Sequence, residues 1–202
     1  MISLNPEELS ERDNYKFLIG SIIPRPIALI TSLSEDNILN LAPFSYFNIV
    51  TSNPPIVAVA FQRKEGQFKD TTRNILEKKE AVIHIVDDEN VGEANKTAAN
   101  LEADESEFDL TNFTLVDSDK VAIPALKESK IRFEVKLHQY VPVVNEGVET
   151  ADLLLLKIEQ YHIADEIYHE GRIDPDGLAA VSRLAGHDYA EIGHQFTIAR
   201  PD

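Results

Sequence analysis

The sequence predicts a mainly β fold, arranged as a closed or nearly closed antiparallel barrel with a few flanking helices. Three observations support this prediction. Short apolar runs recur along the chain, turn residues connect them, and few of the segments between them have helical periodicity. Short strands joined by turns are typical of barrels, whereas a doubly wound sheet needs a helix between successive strands.

Five segments indicate the strands. Residues 26–31, 56–61 and 81–86 are apolar almost throughout, and Pro54 and Pro55 disfavour helix before the second of these runs. Residues 131–137 alternate apolar and charged side chains, which is the pattern of a half-buried antiparallel strand. A last run covers 151–158 and continues at 161–163.

Helices are few in the prediction. Asp70 is a good N-cap for a helix over 71–79. Residues 90–101 and 188–193 are two further candidates. We therefore expect helices to flank the barrel and not to build it.

Length, charge and composition limit the class of protein. We expect a single domain over residues 1–202, because 202 residues suffice for one sizeable core. The formal net charge of −16 disfavours nucleic acid and anionic membrane surfaces as partners. The chain has no cysteine, which excludes disulfides and thiolate chemistry. No apolar run approaches the ~20 residues of a membrane span, and the polar N-terminus differs from a secretory signal, so we expect a cytoplasmic protein.

The segment 87–119 is strongly acidic. It holds eleven Asp or Glu residues against one Lys. We expect a solvated helix-and-loop excursion, and the alternative is a surface that faces a partner or gates a substrate.

Residues 63–73 reverse the sign of the chain, with four basic side chains against two acidic ones. Lys69 stands directly before the predicted helix start at Asp70, and Thr71 and Thr72 add hydroxyl groups. Free backbone N–H groups and the helix dipole converge at such a start. The segment therefore predicts a phosphate site, although many surface helices begin in the same way.

Two other segments offer binding groups. Arg25 lies between two prolines that hold its backbone rigidly, which suits a phosphate, a carboxylate or a structural ion pair. A turn-rich segment then leads to Ser45, Tyr46, Phe47 and Asn48. These residues combine flat apolar surface with neutral hydrogen-bonding groups, as a flat, polar-edged cofactor requires. They also suit the core of a strand and the caps of turns.

A metal-dependent hydrolase is a further hypothesis. His187, Glu191 and His194 have the spacing that would gather a zinc ion on one face of a helix, but flanking glycines disfavour that helix. We assign no metal on this basis. His84 interrupts an apolar run and is expected to be a core or interface histidine. The sequence lacks GxSxG, P-loop and GxGxxG motifs, so serine hydrolases, nucleoside triphosphatases and Rossmann dehydrogenases have no support.

Several sequence blocks together resemble one family. In order and spacing, PRPIALITS, NLAPFSYFNIVTSNPPIVAVAF, KDTTRNI and AVIHIV are similar to the flavin reductase-like FMN-binding split-barrel proteins, which include flavoredoxin. Glu107–Phe108 and residues 123–129 and 182–189 extend the resemblance to residues 14–200.

The resemblance implies a six-stranded Greek-key split barrel. It implies a homodimer with one FMN per subunit near the interface, and electron transfer from NAD(P)H through FMN to free flavin or another small acceptor. It also places the C-terminal extension, 165–202, near the flavin site or the dimer interface. The cofactor-binding residues that it implies are Arg25, Thr31, Ser32, Lys69, Asp70 and Thr71 at the phosphate end, Ser45, Tyr46, Phe47 and Asn48 along the ring, and Arg183 and Tyr189 at the margin.

Two positions depart from the family pattern. His84 stands where asparagine is common, and Ala185 replaces the first glycine of R-L-G-G, which bears on the geometry of Arg183. The alternative to an enzyme is a non-enzymatic, FMN-binding electron carrier.

Overall fold

The computed structural model describes residues 1–99, 101 and 105–201. Within these ranges the helices are α1 (Glu11–Ser21), α2 (Asp70–Lys78), α3 (Val91–Lys96) and α4 (Pro175–Leu178). Short 3-10 turns cover Pro6–Glu8, Glu107–Leu110 and Asp165–Ile167. In the described part of the chain, no helix is both long and apolar enough to cross a membrane.

Strands make up most of the remaining regular structure. They are β1 (Arg25–Pro26), β2 (Ala28–Leu33), β3 (Leu39–Phe44), β4 (Phe47–Ser52), β5 (Pro55–Gln62), β6 (Glu80–Ile85), β7 (Leu115–Val116), β8 (Ala125–Leu126), β9 (Ile131–Asn145), β10 (Val148–Ile163), β11 (Tyr168–His169), β12 (Arg172–Ile173), β13 (Val181–Arg183) and β14 (Tyr189–Glu191).

The main sheet has seven antiparallel strands in the order β3-β2-β6-β9-β10-β5-β4. Its edge strands, β3 and β4, are separated in the chain only by Ser45 and Tyr46, so the sheet must curl until its edges meet. The rings of Phe44 on β3 and Phe61 on β5 accordingly pack edge to face, with centroids 4.5 Å apart. Within the described residues β3 and β4 form no ladder with each other, so the barrel is split and not closed.

The interior of the curled sheet holds the largest core. Side chains alternate between inward and outward along β10, where Leu154, Leu156 and Ile158 are buried. They pack against Val59 of β5 and other inward side chains of the sheet. Ile75 of α2 joins this cluster, so burial of one apolar side chain seats α2 against the barrel. The start of α2 is thereby held at a fixed place.

The mainly β prediction is confirmed, and the sheet has seven strands instead of six. The five predicted runs overlap β2, β5, β6, β9 and β10. The turn-rich segment before residue 48 in fact contains β3 and the beginning of β4, and the sequence reading missed α1.

The helix predictions need three corrections. Lys69, and not Asp70, is the N-cap of α2. The candidate over 90–101 shortens to Val91–Lys96, and its residue 100 lies outside the described residues. The helix over 188–193 is wrong, because Tyr189–Glu191 forms β14 and pairs with β13. The helical face proposed for zinc therefore does not exist.

Candidate functional site

A cavity of ≈ 350 Å³ opens where the start of α2 meets the β3–β4 connection. Its walls also include side chains of α1, residues 97–99 and 101, Glu107, and residues 183, 184 and 186. Small-molecule sites are typically about 300–1,000 Å³ in volume. The cavity is therefore large enough for a ligand of cofactor size.

The first turn of α2 forms one wall. Lys69 caps it without any side-chain bond to the helix. The N–H groups of Asp70, Thr71 and Thr72 donate to no acceptor among the described residues, as expected for a helix start. In the same part of the chain Lys69 forms no ion pair, whereas Asp70 pairs with Arg73. Free N–H groups, the positive end of the dipole and an unpaired ammonium together favour an anion.

The β3–β4 connection forms a second wall. The carbonyl of Tyr46 accepts a hydrogen bond from Ala60 N at 2.9 Å, which fixes the connection to β5. The N–H groups of Ser45 and Tyr46 have no acceptor within the described residues. Burial raises the pKa of the Tyr46 hydroxyl, and nearby Tyr15 adds to the shift, so this group is neutral at pH 7. The wall offers neutral donors only.

A network of buried polar side chains lies behind the first turn of α2. Asn40 Nδ2 donates to Thr71 Oγ1 at 2.7 Å and to Ser32 Oγ at 3.3 Å. Asn74 Nδ2 also donates to Ser32 Oγ, at 3.2 Å. These bonds join β2, β3 and α2, so the helix start is fixed by polar contacts as well as by Ile75 of the core.

Arg25 holds two cavity walls together. Its Nη1 donates to the carbonyls of Ile19 and Ile22 at 2.8 and 2.6 Å, and its Nη2 donates to the carbonyl of Leu184 at 2.8 Å. The side chain lines the cavity and is 6% exposed. Among the described residues Arg25 forms no ion pair, and its guanidinium bonds instead to backbone carbonyls at the end of α1 and in the C-terminal segment. Its Nε is buried without a partner in the described structure.

The C-terminal segment closes the margin of the cavity. Arg183 and Tyr189 are register partners on β13 and β14, and the guanidinium lies 4.5 Å from the centre of the tyrosine ring. Arg183 Nη2 donates to Gly186 O at 2.5 Å, and Tyr189 Oη donates to Asn95 Oδ1 at 2.9 Å. Gly186 has φ +61°, a left-handed conformation that favours glycine. The turn after Arg183 is thereby set beside the cavity.

The structure brings together seven of the predicted site residues around the cavity, namely Arg25, Ser45, Tyr46, Lys69, Asp70, Thr71 and Arg183. The other five lie elsewhere. Thr31 and Ser32 are fully buried, and Thr31 Oγ1 donates to Pro124 O at 2.8 Å. Phe47 packs on the main core, Asn48 is exposed on β4, and Tyr189 stands behind Arg183.

Other lining residues of the cavity were not predicted, among them Tyr15, Ile19, Asn40 and Glu107. The first two belong to α1, whose start has a sequence signal, since Ser10 Oγ accepts from Asp13 N three residues later. Glu107 Oε2 accepts from Leu41 N at 3.3 Å. Burial raises the pKa of Glu107, and the charge of Asp70 also raises it.

One further cluster of potential metal ligands is structural. Glu134 is fully buried and accepts from the N–H groups of Asp119, Lys120 and Val121, and His162 Nε2 lies 2.5 Å from it. Burial alone would raise the pKa of Glu134, but hydrogen bonds from Asp119 and His162 outweigh burial and lower that pKa. The carboxylate thus anchors the loop at 119–121, and its lone pairs are occupied.

Comparisons with known proteins agree with this geometry. The family model described as the flavin reductase like domain matches residues 19–176. The uncharacterized protein YwrF of Bacillus subtilis is 42% identical over 100% of both chains. The solved structure of nitrilotriacetate monooxygenase component B from Bacillus cereus has 48% identity and a TM-score of 0.96, covering 98% of each chain. The 2-nitrobenzoate 2-nitroreductase NbaA of Pseudomonas fluorescens has 25% identity and a TM-score of 0.88, covering 99% of this chain and 96% of its own.

Proposed function

Because the chain belongs to the flavin reductase-like family, we propose that its cavity binds FMN and that the protein transfers electrons from NAD(P)H through FMN to free flavin or another small acceptor. The family and the similar structures together support a flavin-related oxidoreductase. FMN as the flavin, the nicotinamide donor and the identity of the acceptor belong to the proposal.

One observation carries the choice of FMN. Five backbone N–H groups, those of Asp70, Thr71, Thr72, Ser45 and Tyr46, have no acceptor among the described residues, and all of these residues except Thr72 line one cavity. Lys69 adds a positive charge beside three of them. Several convergent donors with one cation suit a phosphate monoester, and neutral donors at the other wall suit the polar edge of a flavin ring. The donor set therefore fits FMN.

The two walls have different roles in this proposal. The start of α2 would hold the phosphate through N–H groups, the Thr71 hydroxyl and Lys69. Ser45 and Tyr46 would hold the ring, and their N–H groups would stabilise negative charge that develops on it without themselves titrating. When bound, FMN supplies the hydride chemistry, so an acid–base constellation in the protein is not required.

The remaining walls would exclude water. Ile19 of α1 and Leu184 add apolar surface, and Arg25 joins the backbones of both segments. The C-terminal extension would in this way complete the flavin site. We keep the single domain over 1–202 as a prediction.

The proposal includes a homodimer. Large apolar side chains are exposed on α1, in the link from α1 to β1, and on the edge strand β4. Ile22 in the link is 60% exposed, and Ile49 on β4 is 77% exposed. Strand β1, which follows the link, packs beside β4. Covering these exposed side chains with a second copy would remove the exposed edge of β4 from water. Light scattering is expected to give twice the mass of one chain, and a monomer at micromolar concentration would contradict the dimer.

The spectrum of the purified protein tests the main proposal. We expect flavin absorbance near ~450 nm, and acid-released pigment that co-elutes with FMN and not with FAD. Anaerobic addition of NADH or NADPH should bleach this absorbance. A protein that binds FMN but is bleached by neither nucleotide would favour the electron carrier, and a protein that binds no added flavin would exclude both functions.

Lys69→Ala tests the phosphate end. Loss of a charged hydrogen-bond partner should weaken FMN binding by about 10- to 100-fold, because such bonds are worth roughly 1.5–3 kcal/mol. Riboflavin, which lacks the phosphate, should bind both proteins equally. Lys64→Ala is the matched control. It also removes one lysine charge, but Lys64 lies five residues before Lys69 in the chain and does not line the cavity. Equal FMN affinity of the two variants would contradict the assignment.

A further inference from the structure

The polar network behind the first turn of α2 is almost fully buried beside the cavity. Ser32, Asn40, Thr71 and Asn74 are exposed by 0%, 8%, 1% and 1%. Buried polar groups destabilise a fold unless they are hydrogen bonded, so each bond direction in such a network matters. The directions can be followed from one side chain to the next.

Thr71 and Asn40 are the two members of the network that line the cavity. Thr71 Oγ1 accepts the hydrogen bond from Asn40 Nδ2 at 2.7 Å. A hydroxyl has a single hydrogen, which it can donate while its oxygen accepts. No group among the described residues accepts the hydrogen of Thr71, although the residue lines the cavity. That hydrogen is left for a ligand.

The contact with Thr71 distinguishes Asn40 from Asn74. Both amides donate to Ser32 Oγ, at 3.3 and 3.2 Å, but only Asn40 also donates to Thr71. Asn40 itself lines the cavity, whereas Asn74 does not. The two asparagines thus share burial and one partner, and differ in their contact with the cavity.

We propose that Asn40 is a positioning residue: its donation to Thr71 Oγ1 turns the Thr71 hydroxyl hydrogen into the cavity, where it donates to an anionic phosphate oxygen. This inference rests on the proposed function. Without the amide, the Thr71 hydroxyl is free to rotate and to accept as well as donate, so its donation to the phosphate is no longer enforced. Asn40 then acts on affinity for the phosphate and not for the flavin ring.

Equilibrium binding of two flavins tests the inference. Fluorescence titrations with FMN and with riboflavin are made on the native chain, on Asn40→Ala and on Asn74→Ala. Asn40→Ala should weaken FMN binding about tenfold and leave riboflavin binding within about twofold, which is the size of one hydrogen bond to a charged group. Asn74→Ala should lower the unfolding midpoint but leave both affinities unchanged. A purely structural role of Asn40 would move both flavins alike.

Variants of Thr71 supply the second test, in case Asn40→Ala fails to fold. Thr71→Val removes the hydroxyl at nearly constant shape and should lose FMN affinity as Asn40→Ala does, whereas Thr71→Ser should retain it. In the double variant of Asn40→Ala with Thr71→Val, the FMN loss should equal that of one single variant, because both remove the same donated hydrogen.

The outcomes that overturn the inference are distinct. Equal weakening of FMN and riboflavin by Asn40→Ala, or equal FMN loss in Asn74→Ala, makes the network only structural. Additive losses of FMN affinity in the double variant would show that Asn40 and Thr71 act on FMN independently. Native protein that binds FMN and riboflavin equally well overturns the phosphate contact while leaving flavin binding in place. Native protein that binds neither flavin overturns the proposed function itself.

Discussion

Replacing Arg25 by lysine would show whether this side chain contacts a ligand or holds the cavity walls. The substitution keeps the positive charge but removes the planar fork of donors. In the structure that fork bonds to the carbonyls of Ile19 and Ile22 at the end of α1 and of Leu184 near the C-terminus. A single ammonium cannot match this divided geometry, so we expect at least two of the three bonds to be lost.

The magnitude follows from those bonds. A hydrogen bond to a charged group contributes about 1.5–3 kcal/mol, so losing two costs about 3 kcal/mol even at the lower limit. The loss falls on the docking of α1 and of residues 183–186 and not on the seven-stranded sheet, which has its own core. Since about 1.4 kcal/mol is a factor of ten, local opening of these segments should increase about 100-fold.

Hydrogen exchange measured by mass spectrometry can resolve the two segments. We expect faster exchange in Arg25→Lys for peptides from α1 and from 183–189, with unchanged exchange in β10, together with weaker binding of both FMN and riboflavin. The reasoning would be refuted by unchanged exchange in α1 with a loss confined to FMN. That result would mean that Arg25 contacts the phosphate directly, as the family resemblance implies.

Two further predictions concern titration. His84 is fully buried, donates from Nδ1 to Leu29 O and accepts from Leu126 N at Nε2, and burial lowers its pKa to about 3. Because the unfolded chain takes up this proton near pH 6.5 and the folded chain does not, the stability contributed by neutral His84 is complete above that pH and falls by about 1.4 kcal/mol per pH unit below it. In urea unfolding at pH 4.5–7, the stability gap between native protein and His84→Gln should therefore narrow toward acid, and a gap independent of pH would contradict the assignment. Glu107 lines the same cavity as Asp70, and burial together with the charge of Asp70 raises the pKa of Glu107. Glu107→Gln should tighten FMN binding about two- to tenfold at pH 7 and leave riboflavin unchanged, since it removes a charge that repels the phosphate, and equal or weaker FMN binding would show that the carboxylate does not face the phosphate.

The parts of the fold that sequence could predict are those where burial follows a local period. Along β10 the buried side chains alternate with less buried ones. The sequence still predicts a strand here, because residues 153–156 are all leucine and form a continuous apolar stretch. The sequence also predicts the start of α2 within one residue, although the N-cap is Lys69 and makes no side-chain bond to the helix. Local chemistry decided both elements.

Other elements have no clear local period. Strands β3 and β4 were missed because Pro43 and a mixture of polar and aromatic residues interrupt any period, although β3 pairs with the preceding strand β2 and β4 with the following strand β5. The helix over 188–193 was wrong because pairing with β13 overrides the local pattern. Helix α1 has a local signal at its start, where Ser10 Oγ accepts from Asp13 N.

The candidate site divides in the same way. Lys69, Thr71 and the 45–46 pair could be named because sequence neighbours create a helix start and a short connection. The partners of Arg25 could not be foreseen, because they are backbone carbonyls up to 159 positions away. Asn40 could not be separated from other polar residues for the same reason, since its importance comes from contact with Thr71, 31 positions later.

The charge of the chain explains why the site is built mainly from backbone. A protein of net charge −16 repels a phosphate at long range, but screening at physiological salt limits that repulsion to about 8 Å. Within that distance the nearest carboxylate of α2, that of Asp70, would cancel the charge of Lys69 if both were unpaired. The pairing of Asp70 with Arg73 removes that cancellation, and in the described part of the chain Lys69 forms no ion pair and the three N–H groups beside it have no acceptor. The Asp70–Arg73 pair therefore favours a positive potential at the start of α2, which is where an acidic chain needs to be locally positive if it is to hold a phosphate.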